Sequence, residues 1–523
     1  EITTRLVGSE MCIRDSLMNQ LKAGVALNFA STALRLGTAF FMTPYVLSCL
    51  GAVEYGTYTL VSSVIMWMIL ADFGISATVS RYVAEFRAKK DQKKEAVFLS
   101  NVMLLNIISG LVVFVAGIIV YWNISFLFPS LHGENLENFK VMYLISFSYT
   151  VLYFPFKVFA GIPAGHQKFI VPGLINIASA MLAVAASVLF LWWGYKAITL
   201  VIINVASGFA ILAGSIFYSI KSLGTRIQWE ISPEIVKIIL KYSCWIFVGS
   251  IADLLYWKTG NIIIARTSGP MDVTLFSLGI NFSNYFIIVS SAVAGVFFPK
   301  IVSMVALNQT NQALTRLMAR VGRLQLLFIG LLMMGFIFFG QQFLTLWVGR
   351  TLGSSTYICW IIGLLVVIPL SLPLVQNLGI QIVQAKNMHN YRAVILLLIA
   401  VCNVIVGYML SKSFGAPGLA AGTALSLICG QCIAMNYFYH KKVGINIKVF
   451  FSRLLKGSLL PALILSATGA LLARLIPMSS LVPFFTGIFL FTACYILCAW
   501  LFYMNDSEKS LILNTFRRFR KNT

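Results

Sequence analysis

Apolar runs of about bilayer length recur along almost the whole chain, each bounded by charge or by Gly, Pro or Asn. Fourteen such runs predict fourteen membrane-crossing helices. The first six cover roughly Ala23–Leu50, Thr57–Ser80, Val97–Trp122, Val141–Ile162, Val171–Trp193 and Thr199–Ile220. A polar stretch from Lys221 to Lys241, holding an amphipathic segment Pro233–Leu240, separates them from the next six. Those are about Tyr242–Ala265, Val273–Phe298, Leu324–Val348, Tyr357–Val383, Ala393–Leu410 and Gly418–Tyr439. Two more, Ser458–Ile476 and Leu481–Met504, precede a basic tail. The expected fold class is an all-α polytopic membrane protein.

Composition agrees. Of 523 residues, 59% are hydrophobic and 11% charged, where a soluble domain carries roughly a quarter charged residues. A mean hydropathy of +0.88 over this length needs apolar spans throughout, because one anchor on a soluble domain would be diluted below zero. A typical soluble enzyme is excluded. The net charge of +23 is the electrostatic footprint of a nucleic-acid partner in a soluble protein, but here the cations follow the topology. With a cytoplasmic N-terminus, Arg87, Lys89, Lys93, Lys168, Lys221, Lys300, Arg316, Arg320, Arg323, Lys386, Lys441, Arg453 and Arg517 all fall on inner segments. The outer loops carry one basic residue or none, such as Lys196, Arg266, Arg350, Lys412 and Arg474. The positive-inside bias then places both termini in the cytoplasm, and the basic residues point to membrane lipids rather than nucleic acid as partners. The longest outer connection, Asn123 to Lys140, has no room for a folded domain, which argues against a membrane glycosyltransferase or polymerase. Residues 1–17 read as a non-native leader, with the natural chain expected to start at Met18.

The two halves match at an offset near 218. Gly51-x-x-Glu54-x-x-x-Tyr58-x-Leu60 answers to Gly269-x-x-Asp272-x-x-x-Phe276-x-Leu278, Gly161-Ile162 to Gly379-Ile380, and Lys168 to Lys386. Each half starts inside and holds six helices, so the repeat is parallel, about an axis along the membrane normal. This predicts an N-lobe over 18–225, a C-lobe over 226–440, helices 13 and 14 over 441–505 and a cytoplasmic tail over 506–523, with the lobes around a central cleft.

Ionisable residues at membrane depth are functional candidates by default. Arg35 lies near mid-depth of helix 1, and Asp253 occupies the position 218 residues later in helix 7. Two readings stay open: an ion pair that separates when an anionic substrate competes for Arg35, or a static pair or separate polar sites. Lys258 lies about 140° round its helix from Asp253; it either lines the outer half of the cleft or snorkels to the outer surface. Asp72, in Asp72-Phe73-Gly74 and beside a glycine expected to loosen the helix there, either binds a proton or balances Arg35, or is a structural Asp bonded to nearby backbone. Arg81 and Lys157, at inner helix ends, contact phospholipid or meet an incoming lipid phosphate. Pro44, Pro155, Pro369 and Pro373 are expected to bend helices 1, 4 and 10. The four histidines have no metal-ligand spacing, Cys429-x-x-Cys432 sits mid-helix as small-residue packing, and no phosphate loop precedes a Lys-Ser/Thr pair. No metal, nucleotide or redox cofactor is expected.

Gly51-Ala-Val-Glu54-Tyr55-Gly56-x-Tyr58, Asp72-Phe73-Gly74-Ile75 and Arg81-Tyr82-Val83-Ala84-Glu85 resemble the Wzx-type polysaccharide-biosynthesis and O-antigen flippases of bacteria. These belong to the multidrug/oligosaccharidyl-lipid/polysaccharide exporter superfamily. The resemblance spans Met18 to the tail and implies a non-enzymatic transporter of the bacterial cytoplasmic membrane. Such a transporter moves an undecaprenyl-pyrophosphate-linked oligosaccharide outward by alternating access, for O-antigen or capsule synthesis, alongside other glycan-assembly proteins. Within it, Arg35 and Lys258 are expected to face the pyrophosphate and the sugars, with Asp72 or Asp253 as sites of ion exchange. A multidrug antiporter of the same superfamily is the main alternative, and a membrane enzyme of polyprenyl-linked glycan assembly the other.

Overall fold

The computed structural model describes residues 2–476, 480–506 and 508–510. The basic tail from position 511 onward, and Glu1 of the expected leader, lie outside them. Among the described residues every regular element is a helix. The helices used below are α1 (Ile2–Ile69), α2 (Ile75–Ala88), α3 (Gln92–Trp122), α4 (Glu134–Phe156), α5 (Val158–Gly165), α6 (Ile170–Trp192), α7 (Ala197–Phe217), α8 (Pro233–Trp257) and α9 (Thr259–Thr267). They continue as α10 (Pro270–Val296), α11 (Phe298–Ala306), α12 (Asn311–Leu352), α13 (Thr356–Val375), α14 (Asn377–Ala385), α15 (His389–Ser426), α16 (Ile447–Leu455), α17 (Leu459–Leu475) and α18 (Leu481–Cys498). The chain divides into two compact units, Glu1–Thr274 and Leu275–Thr523.

Ten helical stretches among the described residues are long and apolar enough to cross a membrane, and the bent pair α16–α17 makes eleven. Three of the ten are too long for one crossing. Ala30–Asp72, Asn311–Val375 and Asn390–Val443 have 43, 65 and 54 residues, whereas about 20 residues span the ~30 Å of hydrocarbon. Each is divided by a glycine at positive φ: Gly51 (76°), Gly353 (54°) and Gly415 (58°). At Gly415 the chain folds back on itself, since a Cβ on Gly422 would lie 2.6 Å from the Cα of Gly407. Two crossings in each of the three stretches account for the fourteen predicted spans.

α6 shows why these helices belong in a bilayer. It is apolar all round, with Ser179 and Leu191 buried while Met181, Leu182 and Trp192 are exposed, a pattern stable only against lipid. The buried core of the first unit gathers Ile75, Val79 and Val83 of α2, Phe98 and Val102 of α3, and Val158 and Ile162 of α5. In the second unit Phe339, Leu465, Phe484 and Phe491 fasten α17 and α18 to α12.

The repeat is written into the backbone. Gly51 and Gly269, Lys90 and Asn308, Gly133 and Gly353, Gln167 and Asn387, Gly194 and Gly415, and Gly224 and Gly444 all have positive φ, at separations of 218 to 221 residues. The separation is 218 up to Lys90 and Asn308 and about 220 from Gly133 and Gly353 onward. This corrects part of the predicted alignment. The C-cap residues of α5 and α14 are His166 and Lys386, so Lys386 answers to His166 rather than to Lys168, and the pairing of Gly161 with Gly379 is likewise two residues out of step.

Candidate functional site

Two spans of the first unit break at the same place. α1 ends in a single tight turn, Leu70–Asp72, after which Phe73 (φ 50°) and Gly74 (φ 73°) adopt left-handed conformations before α2 begins. Gly74 is needed twice over: its φ disfavours a side chain, and a Cβ there would lie 2.8 Å from Ile246 Cγ2 of α8. The fourth span breaks at Lys157, between α4 and α5, two residues after Pro155, whose missing N–H weakens the helical ladder there. α2 and α5 then run side by side, because a Cβ on Gly161 or Gly165 would lie 2.9 Å from Val79 Cβ or 2.7 Å from Val83 Cβ. One turn before Gly161 is Lys157, and that register carries it to Asp72.

The result is a buried ion pair, Lys157 Nζ to Asp72 Oδ1 at 3.2 Å, with the two side chains 14% and 12% exposed. Asp72 also accepts from Ser76 Oγ at 2.7 Å and from Ser76 N at 3.3 Å, so the carboxylate faces the N-terminus of α2, where the helix dipole favours negative charge. Lys157 lies 5.6 Å from the centre of the Phe154 ring. Each charge therefore occupies a helix break and offsets the desolvation of the other. An anion arriving at this point competes with Asp72 for Lys157; a proton arriving at Asp72 leaves Lys157 buried and unbalanced.

The second unit carries the same pair without charge. At the repeat separations, Asp72 answers to Ser290 and Lys157 to Asn377, and Asn377 Nδ2 donates to Ser290 Oγ at 3.0 Å. Ser290 Oγ in turn donates to the Leu374 carbonyl at 2.7 Å, and Gln325 Nε2 donates to the Ser290 carbonyl at 3.1 Å. The break beside Lys157 recurs at Gln376, just before Asn377, but α10 runs unbroken through Ser290; the break at Asp72 and the charges belong to the first repeat.

The other predicted residues are more dispersed. Arg35 is exposed on α1 and donates from Nη2 to Ser31 Oγ at 3.3 Å, one turn away. Asp253 is exposed on α8. Lys258 is half-buried at the break between α8 and α9, where its own N–H bonds the Leu254 carbonyl at 2.9 Å. Arg81 is exposed on α2 and stacks 4.5 Å above the ring of Tyr242, at the start of the seventh span.

Sequence reasoning treated Asp72 and Lys157 separately, and the small-residue spacing Gly161-x-x-x-Gly165 was the signal that α5 approaches α2 closely. It also counted Arg323 among the inner-face cations. The structure buries Arg323, 5% exposed, and gives it an anchoring role. Nε bonds Glu508 Oε1 at 3.0 Å, Nη1 bonds the Arg453 and Lys456 carbonyls at 3.0 Å each, Nη2 bonds the Tyr503 carbonyl, and the guanidinium lies 4.2 Å over the Tyr503 ring. The signal was its depth: α12 starts at Asn311 and carries Arg323 three turns in.

Residues 21–305, over half of the chain, match the family described as "Polysaccharide biosynthesis protein". The chain is 22% identical over 514 residues to the "Uncharacterized membrane protein EpsK" of Bacillus subtilis (strain 168), covering 94% of this chain and 97% of that one. Its fold is similar to that of "Lipid II flippase MurJ, inward closed conformation", with a TM-score of 0.65, 17% identity and coverage of 94% and 99% of the two chains. It is also similar to an inward-facing "multidrug resistance MATE family transporter of the MOP superfamily", with a TM-score of 0.63, 13% identity and coverage of 81% and 98%. These folds are those of transporters rather than enzymes. The chain is a multi-pass membrane protein and belongs to the polysaccharide biosynthesis protein family.

Proposed function

We propose that the chain moves a polyprenyl-pyrophosphate-linked oligosaccharide from the inner to the outer leaflet of a bacterial cytoplasmic membrane by alternating access, for cell-surface polysaccharide synthesis. The observation that carries this reading is the buried Asp72–Lys157 pair at coincident breaks of two spans, in a chain of a polysaccharide biosynthesis family. Pyrophosphate binding at Lys157 releases Asp72, and both side chains sit where the helices bend, so headgroup capture biases the bend angles.

Arg35, Lys258 and Asp253 are proposed as polar groups of the substrate path, and Arg81, held by its stack on Tyr242, as a first phosphate contact at the basic end. That end is read as cytoplasmic, with both termini on the same side. An inside-negative potential then favours outward movement by about 2.3 kcal/mol per negative charge per 100 mV. Proteins that build and consume the lipid-linked glycan are the expected partners.

The test is surface exposure of the glycan in cells lacking this protein, complemented with the wild type or with Lys157→Asn. Labelling with a membrane-impermeant sugar reagent is expected to return with the wild type and to stay at background with the variant. Normal labelling without any copy of the protein, together with proton-coupled efflux of organic cations by the wild type, would replace this reading with a multidrug antiporter.

A further inference from the structure

In the second unit a cavity of about 650 Å³ opens among α11, α12, the end of α16 and the residues after α18. Five exposed cations line it: Lys300, Arg316, Arg320, Arg453 and Lys456. They come from three separate segments and converge on one concavity, whereas cations placed only by topology spread over loop surfaces. Its acid, Glu508, is already engaged by Arg323 at 3.0 Å and by the backbone N–H of Asn505 at 2.9 Å. Among the described residues none of the five cations is in an ion pair.

Arg316 and Arg320 stand one turn apart on α12, an arrangement that is repulsive without an anion. Arg323 holds the carbonyls of Arg453 and Lys456 from below, so the backbone that presents those two side chains is fixed. Leu455, between them in sequence, lines a different cavity of about 400 Å³ with Leu459, Leu326, Ala462 and Tyr503, and that second space is almost wholly apolar. A concentrated cationic pocket beside an apolar cavity fits a ligand with a phosphate at one end and a hydrocarbon chain at the other. A free nucleotide or inorganic phosphate has no use for the second half.

We propose that this pocket is a binding site for the phosphate headgroup of an anionic glycerophospholipid of the adjacent leaflet, separate from the transported substrate. The first unit has another basic pocket, lined by Arg87, Lys90, Lys93 and Arg226, which also holds Glu95 and His166, with His166 bonded to both Arg87 and Glu95.

The test is equilibrium binding of short-chain phosphatidylglycerol to the full-length protein in uncharged detergent, with short-chain phosphatidylcholine and inorganic pyrophosphate as comparison probes. Arg316→Gln/Arg320→Gln/Lys456→Gln is expected to weaken phosphatidylglycerol binding at least tenfold. Lys441→Gln/Lys442→Gln/Lys448→Gln, which removes the same charge from exposed positions outside the pocket, is expected to change it less than twofold. Thermal unfolding of both variants reports whether they are folded, and since Arg323 is kept, both are expected to be. The proposal is overturned if the pocket variant binds as the wild type does or if the two triple variants weaken binding equally. It is also overturned if phosphatidylcholine binds as tightly, or if inorganic pyrophosphate displaces the lipid at equal concentration, which would make the ligand a soluble phosphate.

Discussion

The second repeat supplies a neutral side-chain counterpart to the Asp72–Lys157 pair. Replacing Lys157 with Asn leaves the Asp72 carboxylate at a helix break with only its Ser76 hydrogen bonds. Two unit charges 3.2 Å apart attract by about 5 kcal/mol at an effective dielectric constant near 20, and most of that is cancelled by the cost of taking both ions from water. Removing one partner of a fully buried pair costs about 3–5 kcal/mol. With side chains 14% and 12% exposed, solvent screening reduces this to about 2–3 kcal/mol, for Lys157→Asn and for Asp72→Ser alike. The double variant Asp72→Ser/Lys157→Asn installs the neutral pair that Ser290 and Asn377 already make at 3.0 Å. A neutral hydrogen bond contributes about 0.5–1.5 kcal/mol net, so the double variant should come within about 1 kcal/mol of the wild type. Denaturant titration of the four proteins in mixed micelles measures this cycle. Transport of the lipid-linked glycan, assayed in parallel, should remain lost in the double variant. Strict additivity of the two single losses would refute the coupling, and wild-type transport by the stable double variant would refute the role given to the charges.

Gly165→Val places a side chain where a Cβ already falls 2.7 Å from Val83 Cβ, and overpacking of about 1–3 kcal/mol should lower stability and separate α2 from α5, visible as faster hydrogen exchange in both. Arg323→Met strands Glu508 and frees three carbonyls; it should cost about 3–5 kcal/mol, with exchange rising in α16–α18 while α2–α5 stay protected. Arg35→Ala and Lys258→Ala should each slow glycan exposure about tenfold, equivalent to ~1.4 kcal/mol of barrier; normal rates in both would remove them from the substrate path.

The spans were legible because hydrophobic length is an intrinsic property of each segment, and the repeat because Gly51 and Gly269 occupy matching positions of positive φ. The later register slipped because the second repeat is about two residues longer between Asn308 and Gly353 than the first between Lys90 and Gly133, a difference that shows in dihedral angles and leaves no motif. Helix breaks were half legible. Pro155 and Gly74 announced two of them, but that both breaks lie in one layer depends on the glycine face of α5 against Val79 and Val83. For that reason Asp72 and Lys157 were recognised singly and their partnership was not. Arg323 was hidden for a different reason: its partners are mostly carbonyls, at Arg453, Lys456 and Tyr503, and any residue type supplies a carbonyl.

The most direct test of the central claim is translocation by the purified protein. Proteoliposomes holding a fluorescent polyprenyl-pyrophosphate oligosaccharide on one leaflet are treated with a membrane-impermeant quencher on the other side, with wild type, Lys157→Asn and protein-free vesicles compared. Fast quenching is expected with the wild type, and near-background rates with Lys157→Asn and with empty vesicles. Equal rates for wild-type and empty vesicles, under an imposed membrane potential and with the protein shown to be folded, would contradict that claim.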